Sequence, residues 1–166
     1  LRPGDADERA FVALFRELLA LPGDVFRRDH FHPGHVTASA FVLSPDGEML
    51  LLIEHSKLHR WLQPGGHVEP EDEDVVAAAR REVAEEVGVS DLRQVGEGLF
   101  DVDVHEIPAR KADPAHRHYD VRILLQSSSW DFVAGSDALA AKWVRLGDVN
   151  DVESDASVMR AVGKLL

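Results

Sequence analysis

One predicted helix constrains this chain more than any other segment. Between Asp74 and Val87, Val76, Ala79, Val83 and Val87 recur at helical spacing as an apolar stripe. Glu82, Glu85 and Glu86 fall beside that stripe, within roughly a 100° arc at about 100° per residue. Such a helix must lay its stripe on a core and hold three carboxylates at the core's edge. Like charges this close repel, and the cluster is tolerable when a cation or a raised pKa neutralises part of it. Hard oxygen donors favour Mg²⁺ or Mn²⁺. Arg81 lies on the flank of the arc, where it can fork onto a neighbouring carboxylate or simply be a solvated helix charge. Upstream, Gly65 and Gly66 follow Trp61-Leu62-Gln63-Pro64. A tight turn there can aim a carbonyl at a cation, or be an ordinary turn.

The stretch from Gly66 to Val89 resembles the Nudix box, whose pattern is Gly, five residues, Glu, seven residues, then Arg-Glu-apolar-any-Glu-Glu-any-Gly-apolar. Arg81, Glu82, Val83, Glu85, Glu86, Gly88 and Val89 fill the second half without a gap, and Glu73 stands at the proper distance before Arg81. The first half departs from the pattern, because six residues rather than five separate Gly66 from Glu73. Either the loop carries one extra residue or Asp72 takes the place of Glu73. The first reading is preferred, with Asp74 as the helix N-cap and the acidic run Glu71 to Asp74 near the positive helix end.

The resemblance implies an α/β fold, a Nudix-like α/β/α sandwich with a mixed sheet, covering most of residues 35–166 of a single domain. Residues 1–30 are an N-terminal helical extension outside the family's usual core. The implied activity is metal-dependent hydrolysis of a nucleoside diphosphate linked to another moiety, a pyrophosphohydrolase reaction. Bound Mg²⁺ or Mn²⁺ polarises phosphoryl oxygens and activates water. On this resemblance Glu82 and Glu86 are the principal metal ligands, and Glu85 is a further ligand or the base. The Gly66 carbonyl, with Glu69 or Glu73, completes the shell, and Arg81 orients the cluster. Asp103 and Glu106 are candidates for a base outside the box. The box activates water and does not read the leaving group, so nucleoside triphosphates, nucleotide sugars, ADP-ribose, dinucleoside polyphosphates and isoprenoid diphosphates all stay open. A nucleoside diphosphate derivative is favoured on resemblance alone.

Length and charge narrow the classes. A chain of 166 residues with 45% hydrophobic content can bury a substantial core and gives no sign of a second one. The net charge of -12 opposes a grip on a nucleic-acid polymer, which draws on clustered Lys and Arg, but not binding of a small nucleotide. Without cysteine there are no disulfides or thiolate metal sites, as suits a cytoplasmic protein. No apolar run reaches membrane-spanning length, no signal-peptide pattern opens the chain, and the start at Leu1 suggests trimming.

Residues 5–21 carry Phe11, Val12, Leu14, Phe15, Leu18 and Leu19 at helical spacing and end at Pro22-Gly23. This amphipathic helix packs on its own domain or on a second subunit, which leaves a homodimer open. Strands are expected at 35–43 and 49–54, joined as a hairpin by Ser44-Pro45-Asp46-Gly47, and at 100–107, 119–126 and 142–146. A final helix spans roughly 155–166, and 108–115 reads as a surface loop.

Nine histidines are the second unusual feature. Alternation puts His116, His118, Asp120 and Arg122 on one face of a strand, and Asp101, Asp103 and His105 on one face of another. If those strands pair, a polar cluster forms. It can contact substrate, bind an additional metal, or be a structural hydrogen-bond network. His67 can touch phosphate from the glycine loop, Lys57, His59 and Arg60 can do so from the preceding connection, and Trp61 can cover a base or fill the core. Arg122 can counter either a phosphate or the nearby carboxylates. His30, His32 and His35 show no interpretable pattern. Two rival functions follow: a catalytically silent nucleotide sensor of the same fold, and a histidine-carboxylate metalloenzyme centred on His105, His116 and His118. Metal preference separates the second, since imidazoles select Zn²⁺ or another transition metal.

Overall fold

A computed structural model describes residues 4–56, 58–135 and 138–166. Helix α1 (Ala6–Leu19) leads into strand β1 (Gly34–Leu43), and β2 (Met49–His55) pairs back on it, Val42 opposite Leu51 and Leu43 opposite Leu50. Strands β3 (Trp61–Leu62) and β4 (Gly65–His67) precede helix α2 (Val75–Val87). After it come β5 (Leu92–Gln94), β6 (Asp101–Ile107), β7 (His116–Ser127) and β8 (Ala138–Arg145), a 3₁₀ turn at Leu146–Asp151, and helix α3 (Ala156–Val162).

The strands form one mixed sheet, with β3, β2, β1, β7 and β5 in order, β4 on β1, β6 on β7 and β8 on β2. Its centre is the parallel pairing of β1 with β7, in register from Gly34 opposite Arg117 to Leu43 opposite Gln126. β6 runs antiparallel along the other side of β7, so Asp101 faces Arg122, Asp103 faces Asp120 and His105 faces His118.

Alternation along these strands divides the interior into two layers. Val36, Ala38, Ala40 and Val42 of β1, with Tyr119, Val121, Ile123 and Leu125 of β7, pack against Phe15 and Leu18 of α1 and Ala79, Val83 and Val87 of α2. Phe15 meets Tyr119 edge to face at 5.4 Å. On the opposite side Phe41, Leu43, Leu50, Leu52 and Leu124 pack against Val158, Ala161 and Val162 of α3. The result is the expected α/β/α layering. Both ends of α2 follow from sequence. The Asp74 carboxylate accepts the Val76 and Ala77 amides, and Gly88 ends the helix in the left-handed region at φ 66°, where a side chain would be strained.

Helix α1 is no loose appendage. Its Glu8, wholly buried, accepts from Lys164 at 2.6 Å, and its Asp5 caps the first turn through the Glu8 amide. Short strands β3, β4 and β5 were not expected; at two or three residues each, they carry too little pattern to be read. Lys57, a suggested phosphate contact, lies outside the described residues.

Beside the apolar layer of the α3 side sits a buried ion network. Arg122, 3% exposed, donates to Asp120 and Asp101 at 3.1 Å each and to the Ser157 carbonyl, and lies 3.6 Å from Asp103. Arg160 forks onto Asp101 at 2.7 and 2.6 Å, and Lys164 adds a third cation on the same carboxylate. Of the two partners open to Arg122, substrate phosphate or the nearby carboxylates, the structure favours the second: its guanidinium is enclosed and matched by Asp101, Asp103 and Asp120. Arg122→Met should lower the unfolding free energy by about 3–5 kcal/mol, because it strands those carboxylates in the interior. A urea melt with an unmoved midpoint would show that the network contributes nothing net.

Candidate functional site

Helix α2 and the loop before it are tied together by one side chain. Arg81 forks onto Asp72, Nε to Oδ1 at 3.1 Å and Nη2 to Oδ2 at 2.9 Å. The same guanidinium donates to the His67 carbonyl at 2.8 Å, to Glu82 at 2.8 Å and to Glu85 at 3.3 Å. Glu73, which the spacing favours as the box's first acidic position, is exposed, and the carboxylate that Arg81 grips is Asp72. The reason is the N-cap. Once Asp74 starts the helix, Asp72 sits back in the turn, where it also accepts the Glu69 amide at 2.8 Å.

Glu82 and Glu86 face β4. Gly66 lies so close to Glu82 that a Cβ there would overlap its carboxylate, and the Gly65 amide donates to Glu86 at 2.9 Å. Glycine at both positions lets the backbone reach the acidic face, because a Cβ on Gly65 would strike Ser39 of β1. Burial raises the Glu82 carboxyl above its ordinary value, against the hydrogen bond and charge of Arg81. The hydrogen bonds of Arg81 hold Asp72 below the usual range. Glu85 is the open member, with a side chain 59% exposed. Glu82 and Glu86, set against a glycine backbone with no side chain between, offer hard-oxygen donors of the kind that suit a divalent ion such as Mg²⁺ or Mn²⁺.

Next to this acidic face opens a cavity of about 840 Å³. Its lining includes His35, His67, His116 and His118, with Arg28, Arg110 and Glu69 among the charged residues around them. The histidines meet because of register. His35 of β1 stands opposite His118 of β7, which stands opposite His105 of β6. Ring centroids lie 5.1 Å apart for His35 and His116, 4.9 Å for His35 and His118, and 5.1 Å for His35 and His67. His67 belongs to both regions: its carbonyl is held by Arg81 and its ring joins the cluster.

Electrostatics divide the histidines. Burial, then the neighbouring imidazoles, pushes His118 down to about 2. Burial, then His67, pushes His35 down to about 4. His105 behaves oppositely: burial works against its charged form, but the hydrogen bond to Asp103 at 3.0 Å and the charge of Asp120 raise it overall. Asp120 in turn accepts from Thr37 at 3.1 Å and Ser39 at 2.7 Å.

The site thus brings together Gly66, Arg81, Glu82, Glu85 and Glu86, with His67, His116 and His118 in the adjoining cavity and His105 outside its lining, its ring 5.5 Å from that of His118. Arg60 is exposed and is not part of the cavity lining. Trp61 packs against the α3-side core with Lys142 over its ring at 3.8 Å. His35 was missed by sequence reasoning, as were Arg28 and Arg110. The signal for His35 was present in the alternation His35, Thr37, Ser39 against Val36, Ala38, Ala40, but its partners are some 80 positions away.

A sequence model of the NUDIX domain matches residues 33–162. An RNA pyrophosphohydrolase of Caulobacter vibrioides is 39% identical over 90 residues, covering 51% of each chain, so this chain spans about half the length of the curated relatives it matches. Among solved structures, the E. coli dihydroneopterin triphosphate pyrophosphohydrolase aligns with a TM-score of 0.62 at 22% identity, over 78% of this chain and 92% of that one. A C. elegans Ap4A hydrolase binary complex gives 0.58 at 22%, over 78% and 93%. The NUDIX domain of Shewanella oneidensis NrtR complexed with ADP ribose gives 0.60 at 19%, over 90% and 94%. At these identities the structural likenesses establish the fold.

The low values of His35 and His118 carry a pH signature. Each folded-state pKa lies below the unfolded value of about 6.5, so the unfolded chain takes up more protons on acidification. The stability involved is complete above about pH 6.5 and declines as pH falls towards the folded values. In chelator-treated protein, the unfolding free energy should drop by about 1 kcal/mol per group between roughly pH 7.5 and 5.5, with a shallower slope in His118→Leu. Equal slopes in the two proteins would place the dependence elsewhere.

Proposed function

The chain belongs to the NUDIX domain family, and from that premise we propose that it is a hydrolase of phosphoric anhydride bonds, acting on a nucleoside diphosphate joined to another group. The observation that supports this most directly is the convergence of Glu82, Glu86 and the Gly65-Gly66 backbone, with Arg81 fixing the acidic face from one side. Glu82, Glu86 and the Gly66 carbonyl would hold Mg²⁺ or Mn²⁺. When bound, the ion supplies polarisation of the phosphoryl oxygens and a lowered pKa for water.

The residues of the chain do the rest. Arg81 keeps Glu82 and Glu85 oriented and locks the 67–72 loop beside them through Asp72 and the His67 carbonyl. The Gly65 amide fixes one oxygen of Glu86. Glu85, solvent-facing, is the carboxylate placed to take the proton of the attacking water. The cavity beside α2 receives the remainder of the substrate, with Arg28 and Arg110 at its rim and the His67 ring on its floor meeting phosphate oxygens.

The names of the relatives span an RNA, a dinucleotide, a pterin triphosphate and an ADP-ribose complex, so the substrate has to be found by assay. The net charge of -12 favours a small nucleotide over a polymer, since a polyanion would meet few compensating cations.

The test is product release from nucleoside di- and triphosphates, nucleotide sugars, dinucleoside polyphosphates, ADP-ribose and a 5′-triphosphorylated RNA, with Mg²⁺ or Mn²⁺. Glu86→Gln should lower kcat by about 10²–10⁴-fold, with the melting temperature and substrate affinity near those of wild type. Tight binding of a panel member without turnover in wild type would favour a nucleotide sensor instead.

A further inference from the structure

We propose that His35, His116 and His118 form a transition-metal site on the cavity floor, selective for Zn²⁺ or a similar borderline ion and separate from the carboxylate face of α2. One nitrogen from each of the three rings lies within 4.8 Å of the others, from three positions brought together by the β1–β7 register.

Two of the rings are already oriented as ligands. Nδ1 of His116 lies 2.8 Å from the Pro114 carbonyl, and Nδ1 of His35 lies 3.3 Å from the His30 carbonyl. A carbonyl only accepts, so each Nδ1 carries the proton and each Nε2 presents its lone pair. This is the arrangement in which metal-bound imidazoles are generally held, with the far nitrogen donating to a backbone carbonyl or carboxylate.

The second observation is independent of the clustering. His35 is 1% exposed, and its Nε2 has no hydrogen-bond partner among the described residues. A buried acceptor left unpaired carries the full desolvation penalty of the group, and so calls for a reason. A cation shared with His116 and His118 supplies one. The surrounding chemistry agrees: Asp103 and Asp120, the carboxylates next along the same strands, are engaged with Arg122, Thr37, Ser39 and His105. The three ligands are neutral nitrogens, which suit Zn²⁺ and its neighbours and suit Mg²⁺ poorly. Tetrahedral bonds of about 2.0–2.1 Å imply nitrogens about 3.3 Å apart, so the rings close by up to about 1.5 Å on loading, a change of side-chain rotation.

Three protein ligands leave a fourth position, and the floor here faces the cavity. A metal held there presents an open coordination site to an anionic group of whatever occupies the cavity. The site does not depend on hydrolysis being the function, and its test separates the two.

Chelator-stripped protein is titrated with Co²⁺ and then Zn²⁺ in excess Mg²⁺, following the visible d–d bands of Co²⁺ and the heat of Zn²⁺ binding. One equivalent should bind, with the intense bands of a tetrahedral nitrogen site. His116→Asn and His118→Asn should weaken it by at least about 10–100-fold, the loss that follows when merely a hydrogen-bond partner of a ligand is removed. Glu86→Gln should bind as wild type does. Absence of binding in wild type, binding unchanged in both histidine variants, or binding abolished by Glu86→Gln would each overturn the proposal. If the variants fail to fold, imidazole ¹⁵N shifts of wild type decide: Zn²⁺ moves the Nε2 resonances of His35 and His116 and one ring-nitrogen resonance of His118, and unmoved resonances overturn it.

Discussion

The parallel pairing of β1 with β7 is the constraint on which the rest of this molecule depends. It fixes ten consecutive residue pairs between segments about 80 positions apart, and every other element is placed by reference to it. Because side chains alternate with period two, one register decides two surfaces together. It sends Val36, Ala38, Ala40, Tyr119, Val121 and Ile123 into the layer under α1 and α2. It also sets His35 beside His118, Thr37 beside Asp120 and Ser39 beside Arg122. A slip of one residue would bury the charges under α2 and turn the valines towards α3, so the fold and the polar floor are specified by the same set of hydrogen bonds.

Arg81 performs the equivalent task locally. A three-carboxylate helix face disfavours its own assembly, and its neighbours need a cation that is always present. One guanidinium, reaching Asp72, Glu82, Glu85 and the His67 carbonyl, offsets part of that repulsion and joins the loop to the helix. It also holds the His67 backbone while the ring of the same residue lies against His35. The acidic face and the histidine cavity are thereby coupled through a single loop residue.

Much of this was legible in the sequence, and the division has a physical basis. Helix α2, its Asp74 cap, its Gly88 terminus and its acidic edge are set by interactions three or four residues apart, and the hairpin of β1 and β2 by a turn of a few residues. Local rules suffice for these. The choice of Asp72 over Glu73 depended on where the helix began to within one residue, which spacing alone leaves ambiguous. Arg122 could be placed on a polar face beside Asp120, but the choice between phosphate and carboxylates stayed open, because Asp101 and Ser157 come from β6 and α3 and only the folded sheet brings them to it. His35 failed for the same reason, since its significance lies entirely in the β7 residues it meets.

The polar face shared by β1, β7 and β6 changes character along its length, and charge accounts for the change. At the α3 end, the buried carboxylates Asp101, Asp103, Asp120 and Glu8 are met by Arg122, Arg160 and Lys164. His105, hydrogen-bonded to Asp103, adjoins them, and that bond with the charge of Asp120 favours its protonated form on balance despite its burial. That end is closed by α3 and electrically satisfied, as a structural network must be. At the other end the side chains are imidazoles, those of His35 and His118 pushed down by burial, and the buried Nε2 of His35 has no hydrogen-bond partner among the described residues. The same strands therefore build a sealed ion network and an open, electron-rich floor within a few residues of each other. The boundary falls between Asp120 and His118, where the carboxylates end and the cavity begins.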